Sequence, residues 1–406
     1  MINRSKAIFI RHKELAVYTT LNYLDKLIAF CLPLAVLYLT KDQQAYNDIE
    51  YIFSIASIAV VFLEVGMRTY YFYGYSIASN RELFVEQVKG YFSTLFSFYF
   101  LAGIAILPLF YFFNDKFLYL FLFIVIRSLF LFFTGFYNNY FRLIDKPSSI
   151  FWYTIPVNLL AIVLIALITI TKTGHPLFAF FIPQGILIFL GIYWFRSNNT
   201  VSKINELLLY LKTALSYSWP IILNVLLIAY INNYAKIYAY NKMSPEDMFQ
   251  LSYILRISLI IQMMHISISG YYSKRIFIDS SPGINRKILA FYSGFLALSV
   301  LMVFTFLLII NQVSEITKIE INGTTLIIIL YTLIWCFLAY LELYMSKFKK
   351  PKMILLFSIV ATLFYIYFLF AGGVKNVYTI SLIMLGSVTI NFLLTALYLK
   401  FKLFKK

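Results

Sequence analysis

Charge is scarce in this chain, and negative charge scarcer still. Only 13% of its 406 residues are charged, and 17 Asp and Glu stand against 34 Lys and Arg. A soluble domain needs a more polar surface than that. Two cysteines are too few for a disulfide framework, and Cys31 and Cys336 both sit in apolar runs, where they read as small packing residues. The three histidines, His12, His175 and His265, are scattered and share no ligand spacing with carboxylates or cysteines, so no metal site is expected. His265 reads as a packing residue. No Walker sequence of the form G-x-x-x-x-G-K-[ST] is present, so no nucleotide and no other cofactor is expected. Also missing are a long linker, a low-complexity tail and any outer loop much beyond ten residues. That leaves no room for a soluble catalytic domain and argues against an enzyme.

What the chain has in abundance is apolar surface. Hydrophobic residues make up 62% of it and aromatics 20%. A membrane-spanning helix needs about 20 mostly apolar residues. Twelve runs qualify: 16–39, 49–75, 90–113, 117–140, 150–171, 176–195, 212–240, 248–272, 288–310, 324–346, 353–371 and 377–399. Run 49–75 is long enough to tilt or bend. The basic start (Arg4, Lys6, Arg11, Lys13) leads into an apolar run longer than a signal core, so it reads as a retained first helix.

Lys and Arg then orient the chain. With a cytoplasmic N-terminus, the inner segments hold 23 of them and the six outer loops hold one each: Lys41, Lys116, Lys172, Lys242, Lys318 and Lys375. This is a positive-inside pattern with both termini in the cytoplasm. The basic charge therefore faces anionic inner-leaflet lipid, and nucleic acid is not an expected partner. The halves also repeat. "YFRLIDKP" (140–147) and "YMSKFKKP" (344–351) match at Tyr140/Tyr344, Lys146/Lys350 and Pro147/Pro351, and Tyr51 matches Tyr253. Six spans per half give a parallel repeat. The expected architecture is all-α and polytopic, with domains 1–200 and 201–406.

Beyond their opening residues the apolar runs hold eight charges: Asp25, Lys26, Glu64, Arg68, Arg127, Lys236, Arg256 and Glu342. On insertion scales each costs roughly 2.5–3.5 kcal/mol at a helix centre, so such residues face a bundle interior or a wet cavity. Helical spacing groups them with other polar residues. Ser57, Glu64, Arg68, Tyr71 and Tyr75 share one stripe. Arg127, Thr134 and Asn138 share another, and Tyr331, Trp335, Glu342 and Ser346 a third. Asn232, Asn233 and Lys236 cluster together. Glu64 and Arg68, one turn apart on a continuous helix, can neutralise each other. Whether that pair is purely structural or lines a cavity stays open. Lys236 can snorkel to the surface instead. Asp25 and Lys26 diverge by about 100° and pair poorly. Five cations against three carboxylates leave a cationic excess, which an anionic ligand can satisfy. Pro33, Pro156, Pro183 and Pro220 lie in or beside spans, where they can kink helices.

Several features carry a family resemblance: twelve spans with both ends inside, a cationic interior, the "FLEVGMRTYYFYGYSIA" region (62–78), and Pro220 leading into "NNYAKIYAYNKMSPEDMFQLSYILRISL" (232–259). Together they resemble the Wzx-type O-antigen and polysaccharide-unit flippases. These belong to the multidrug/oligosaccharidyl-lipid/polysaccharide exporter superfamily, which also holds the MATE transporters. The resemblance implies two six-helix bundles around a central cavity in the bacterial cytoplasmic membrane. The implied cargo is an undecaprenyl-diphosphate-linked oligosaccharide moved to the periplasmic leaflet by alternating access. Implied partners are that substrate, membrane lipids, and the polymerase and chain-length regulator of the same pathway. The expected phosphate-binding residues are Arg68, Arg127, Arg256, Lys26 and Lys236, with Asn138 and Asn232 beside them. Asp25, Glu64 and Glu342 are candidates for coupling to protons or another ion. The rival readings are a MATE-like exporter of small molecules and a membrane-embedded polymerase or glycosyltransferase.

Overall fold

Apolar runs of this length place their backbone beyond the reach of water, and a helix satisfies every peptide group within its own segment. The computed structural model describes residues 2–111, 115–144, 146–197, 203–278, 284–313, 321–348 and 350–403. Among them there are helices and no strands. Thirteen α-helices occur: α1 (Ile2–Ala35), α2 (Gln43–Glu64), α3 (Met67–Ile77), α4 (Arg81–Tyr111), α5 (Asp115–Leu143), α6 (Phe151–Thr171), α7 (Pro176–Ser197), α8 (Ile204–Lys242), α9 (Pro245–Ile278), α10 (Arg286–Val313), α11 (Gly323–Lys347), α12 (Pro351–Ala371) and α13 (Val377–Tyr398). Twelve are long and apolar enough to cross a membrane, and α3 is the additional short one. The chain is a multi-pass membrane protein.

Caps and prolines set many of the boundaries. Asp42, Asn322 and Asn376 each accept hydrogen bonds from first-turn amides of the helix that follows. Pro33 lies inside α1, which runs on into a π-helical turn over Val36–Thr40.

One boundary departs from the sequence reading. The run 49–75 is not one helix. α2 stops at Glu64, Val65 takes φ 44 and Gly66 φ 75, and α3 starts at Met67. Two consecutive left-handed residues turn the chain, so Glu64 and Arg68 do not stand one turn apart on a continuous helix. The Arg68 side chain lies outside the described part of the structure.

The chain forms two compact units, Met1–Trp219 and Pro220–Lys406. Their border is Pro220 inside α8, whereas the sequence division falls in the loop before that helix. In the first unit α5 packs on α2, α4 and α7, while α6 packs on α1 and α7. Its core is aromatic, with Phe92 stacked on Phe136 at 3.9 Å and Phe133 4.7 Å from Tyr137. The opening turns of α8 belong to this unit through Tyr210 on Tyr91 and Tyr217 on Tyr73. In the second unit α11 packs on α9, α12 and α13. Corresponding spans pair alike in the two units: second with fourth, fourth with sixth, fifth with sixth.

The repeated sequence segments also adopt the same turn. Lys146 has φ −123, ψ 51 and Lys350 φ −113, ψ 45, and each precedes a proline that opens a helical segment. The Lys146 amide donates to the Phe141 carbonyl at 2.8 Å, and the Lys350 amide to the Met345 carbonyl at 3.0 Å.

Candidate functional site

Four helices of the first unit bring polar side chains to one cavity of about 320 Å³. α1 contributes Asn22, Asp25 and Lys26, α2 contributes Glu64, α5 contributes Arg127, Thr134 and Asn138, and α6 contributes Thr154 and Asn158. Five of the residues expected from the sequence therefore share one chamber: Asp25, Lys26, Glu64, Arg127 and Asn138. All five lie within membrane-spanning helices.

Asp25 and Arg127 each have a specific neighbour. The Asn158 amide donates to the Asp25 carboxylate at 3.4 Å, and the Thr154 hydroxyl donates to the Ile150 carbonyl at 3.5 Å. Arg127 donates from a guanidinium nitrogen to Gln184 Oε1 at 3.3 Å, and Gln184 is buried on α7. The guanidinium carbon lies 4.1 Å from the Phe53 ring centroid and 5.4 Å from that of Phe130. Cation–π contact and a neutral amide help to orient the guanidinium. Gly135 makes room for Glu64: a Cβ added there would stand 3.3 Å from the Glu64 Oε1.

The lining carries two cations, Lys26 and Arg127, and two carboxylates, Asp25 and Glu64. In a medium of low dielectric such groups interact strongly with any charge that enters. The chamber can therefore hold a group bearing negative charge on one part and hydrogen-bonding hydroxyls on another. Among the described residues no three His, Cys, Asp or Glu side chains are placed to hold a metal ion.

Arg68 belongs to α3 of the first unit, with its side chain outside the described part, and the remaining expected residues lie in the second unit. Arg256 is buried on α9. Asn232 and Lys236 are half-buried on α8, and the Asn232 amide oxygen accepts a hydrogen bond from the Tyr331 hydroxyl. That bond joins the polar stripe of α8 to the polar stripe of α11. Glu342, on the same helix as Tyr331, has its Oε1 buried without a hydrogen-bond partner. His265 is a packing residue, as its sequence context suggests. Its Nδ1 is 2.7 Å from the Tyr292 hydroxyl, and that hydroxyl donates to the Cys336 carbonyl at 2.8 Å. Cys31 and Cys336 are both free thiols.

The sequence reading missed the neutral members of the chamber, Asn22, Thr134's neighbour Gly135, Thr154 and Asn158, together with Gln184. It also missed a buried polar cluster in the second unit. There Ser358 donates to Asn224 at 2.6 Å, and Asn391 donates to Ser358 at 3.1 Å, tying α8, α12 and α13 together. The available signal was the one-turn spacing of Ser358 with Thr362 and of Asn391 with Thr395.

No protein-family model matches this chain, and no curated protein matches it by sequence. Solved structures do. One is an inward-facing multidrug resistance MATE family transporter of the MOP superfamily, 14% identical, covering 91% of this chain and 94% of its own, with a TM-score of 0.60. A second is the eukaryotic MATE transporter AtDTX14, 10% identical over 96% of this chain and 94% of its own, TM-score 0.55. A third is the lipid II flippase MurJ in an inward closed conformation, 16% identical over 93% of this chain and 87% of its own, TM-score 0.53. Likeness at these identities establishes a shared fold, and a fold by itself does not assign a cargo.

Proposed function

We propose that this chain is a transporter that flips an undecaprenyl-diphosphate-linked oligosaccharide from the cytoplasmic to the periplasmic leaflet of the bacterial cytoplasmic membrane. The observation that carries the reading is the intramembrane chamber holding Lys26 and Arg127 among Asn22, Asn138 and Asn158. A diphosphate-sugar headgroup combines the two things this chamber can satisfy, anionic oxygens and many hydroxyls. Arg127 can engage two phosphate oxygens at once, and Lys26 supplies a point charge. The asparagines offer both donors and acceptors to a sugar. A fold shared with a lipid II flippase supports the same reading.

In this mechanism the lipid chain stays in the bilayer while the headgroup passes through polar surroundings. The headgroup exchanges hydration for the fixed charges of the chamber, which lowers the barrier that hydrocarbon would impose. Arg68 and Arg256 are the further phosphate-binding cations of this proposal. The carboxylates Asp25, Glu64 and Glu342 couple the cycle to protons or another ion. If all three are neutralised and flipping still responds to a pH gradient, that coupling is excluded.

A second reading is a MATE-like exporter of small molecules. It is favoured by Asp25 and Glu64, whose carboxylates suit a cationic cargo. Arg68→Ala, Arg127→Ala and Arg256→Ala distinguish the two. On the flippase reading each abolishes surface polysaccharide in a complementation assay while the protein still reaches the membrane, and Lys at the same positions restores part of it. Normal surface polysaccharide in all three Ala variants, together with ethidium efflux by the unmodified chain, would select the exporter.

A further inference from the structure

Besides the polar chamber, the first unit holds a groove of about 570 Å³ bounded by α5, α6, α7 and the turn between α5 and α6. That volume falls in the range of ligand sites, about 300–1,000 Å³. Its long wall is one face of α5, from Phe133 through Tyr137 and Phe141, continued past the helix end by Ile144 and Lys146. Opposite stand Leu187, Leu190 and Gly191 of α7. Gly191 lets α7 approach: a Cβ there would meet a Phe133 ring carbon at 2.6 Å.

Three features define what can occupy it. First, depth. From Phe133 to the end of α5 at Leu143 the wall runs about 15 Å at about 1.5 Å per residue. Half of a hydrocarbon core of about 30 Å is the same length, so the groove is one leaflet deep. Second, polarity. Apart from tyrosine hydroxyls, the polar lining sits at one end, where Lys146 and Ser149 belong to the α5–α6 turn. Among the described lining residues Lys146 is the one charged side chain. Third, level. Trp152 is 77% exposed and Tyr153 46% at that same end, as expected of aromatics at the headgroup boundary. By the distribution of Lys and Arg this end is cytoplasmic.

We infer that this groove is a binding site for an anionic phospholipid of the cytoplasmic leaflet, with one acyl chain along α5 and the phosphate at Lys146. An acyl chain fills a single leaflet and matches the depth of the groove, whereas a long polyprenyl chain exceeds it. Among the described lining residues the one charge is the Lys146 ammonium, which favours a headgroup of net negative charge. The site is independent of the transport reading, since its occupant is a resident lipid and not the cargo.

The test is lipid retention by the full chain, measured by native mass spectrometry after purification. The probes are dioleoylphosphatidylglycerol, dioleoylphosphatidylcholine and undecaprenyl phosphate, offered singly and in competition. The unmodified protein retains the phosphatidylglycerol in preference to the phosphatidylcholine. One lysine near a membrane surface is worth about a fivefold preference, and Lys146→Gln removes it. Leu190→Trp fills the groove and lowers retention of both phospholipids. Lys172→Gln, in an outer loop, leaves retention and preference as they were. Melting curves of the four proteins, recorded without added lipid, identify any variant that has lost its fold. The inference is overturned if Lys146→Gln and Leu190→Trp both behave like Lys172→Gln. It is equally overturned if undecaprenyl phosphate displaces the phosphatidylglycerol at equal concentration.

Discussion

At the scale of single residues, Arg127 shows how a charge is kept inside a membrane span. Its guanidinium lies against the Phe53 ring and donates to Gln184. The same guanidinium lines the chamber, where it interacts electrostatically with the Asp25 carboxylate. Glu64 depends on the absence of a side chain at Gly135, across the same cavity. Gly135→Leu puts bulk where the carboxylate now sits and narrows the chamber. We expect this variant to lose transport at least tenfold while its melting temperature in detergent changes little; full transport would mean the chamber is not on the path. The charged members of the chamber were legible in the sequence because a charge in an apolar run is expensive and must face something polar. Asn22, Thr154, Asn158 and Gln184 were not, since a neutral polar residue in a span is common and carries no such compulsion. Only the packing of α1 on α6 and of α5 on α7 shows which of them meet.

At the scale of elements, the informative feature is the break between α2 and α3. Val65 is a β-branched residue at φ 44, followed by Gly66 at φ 75. Left-handed backbone costs an L-residue roughly 1–2 kcal/mol. Gly66→Ala should therefore destabilise the protein by about that much, seen as a lower melting temperature. Val65→Gly removes the same strain and should not lower stability by more than the packing lost with the side chain. Equal melting temperatures for Gly66→Ala and the unmodified chain would show that the break tolerates any residue. The sequence indicated that run 49–75 was over-long, but apolar residues continue through Val65 and Met67, so hydropathy did not mark the break. Its one local sign was Gly66. The turns at Lys146–Pro147 and Lys350–Pro351 were more legible, because proline restricts both itself and the residue before it.

At the scale of the whole molecule, hydropathy was enough to predict twelve spans, and the basic loops assign them an orientation. Hydrophobic length is a local property and needs no knowledge of partners. The border between the units was not local. It falls at Pro220 because the opening turns of α8 bury Tyr210 against the first unit. The orientation can be tested directly. With Cys31 and Cys336 replaced, a cysteine at Lys172 should react with an impermeant maleimide added to whole spheroplasts, and one at Lys146 only after the membrane is opened. The opposite pattern would invert the topology and place the phospholipid groove in the outer leaflet.

The central claim is that the intramembrane chamber of the first unit carries an anionic headgroup across the bilayer. Proteoliposomes holding the purified chain and a labelled undecaprenyl-diphosphate oligosaccharide measure this most directly, scored by the fraction of sugar that becomes accessible on the far side. The chain should raise the rate of transfer well above protein-free vesicles, and Lys26→Gln combined with Arg127→Met should lower it at least tenfold. Transfer at the unmodified rate by that double variant would contradict the account.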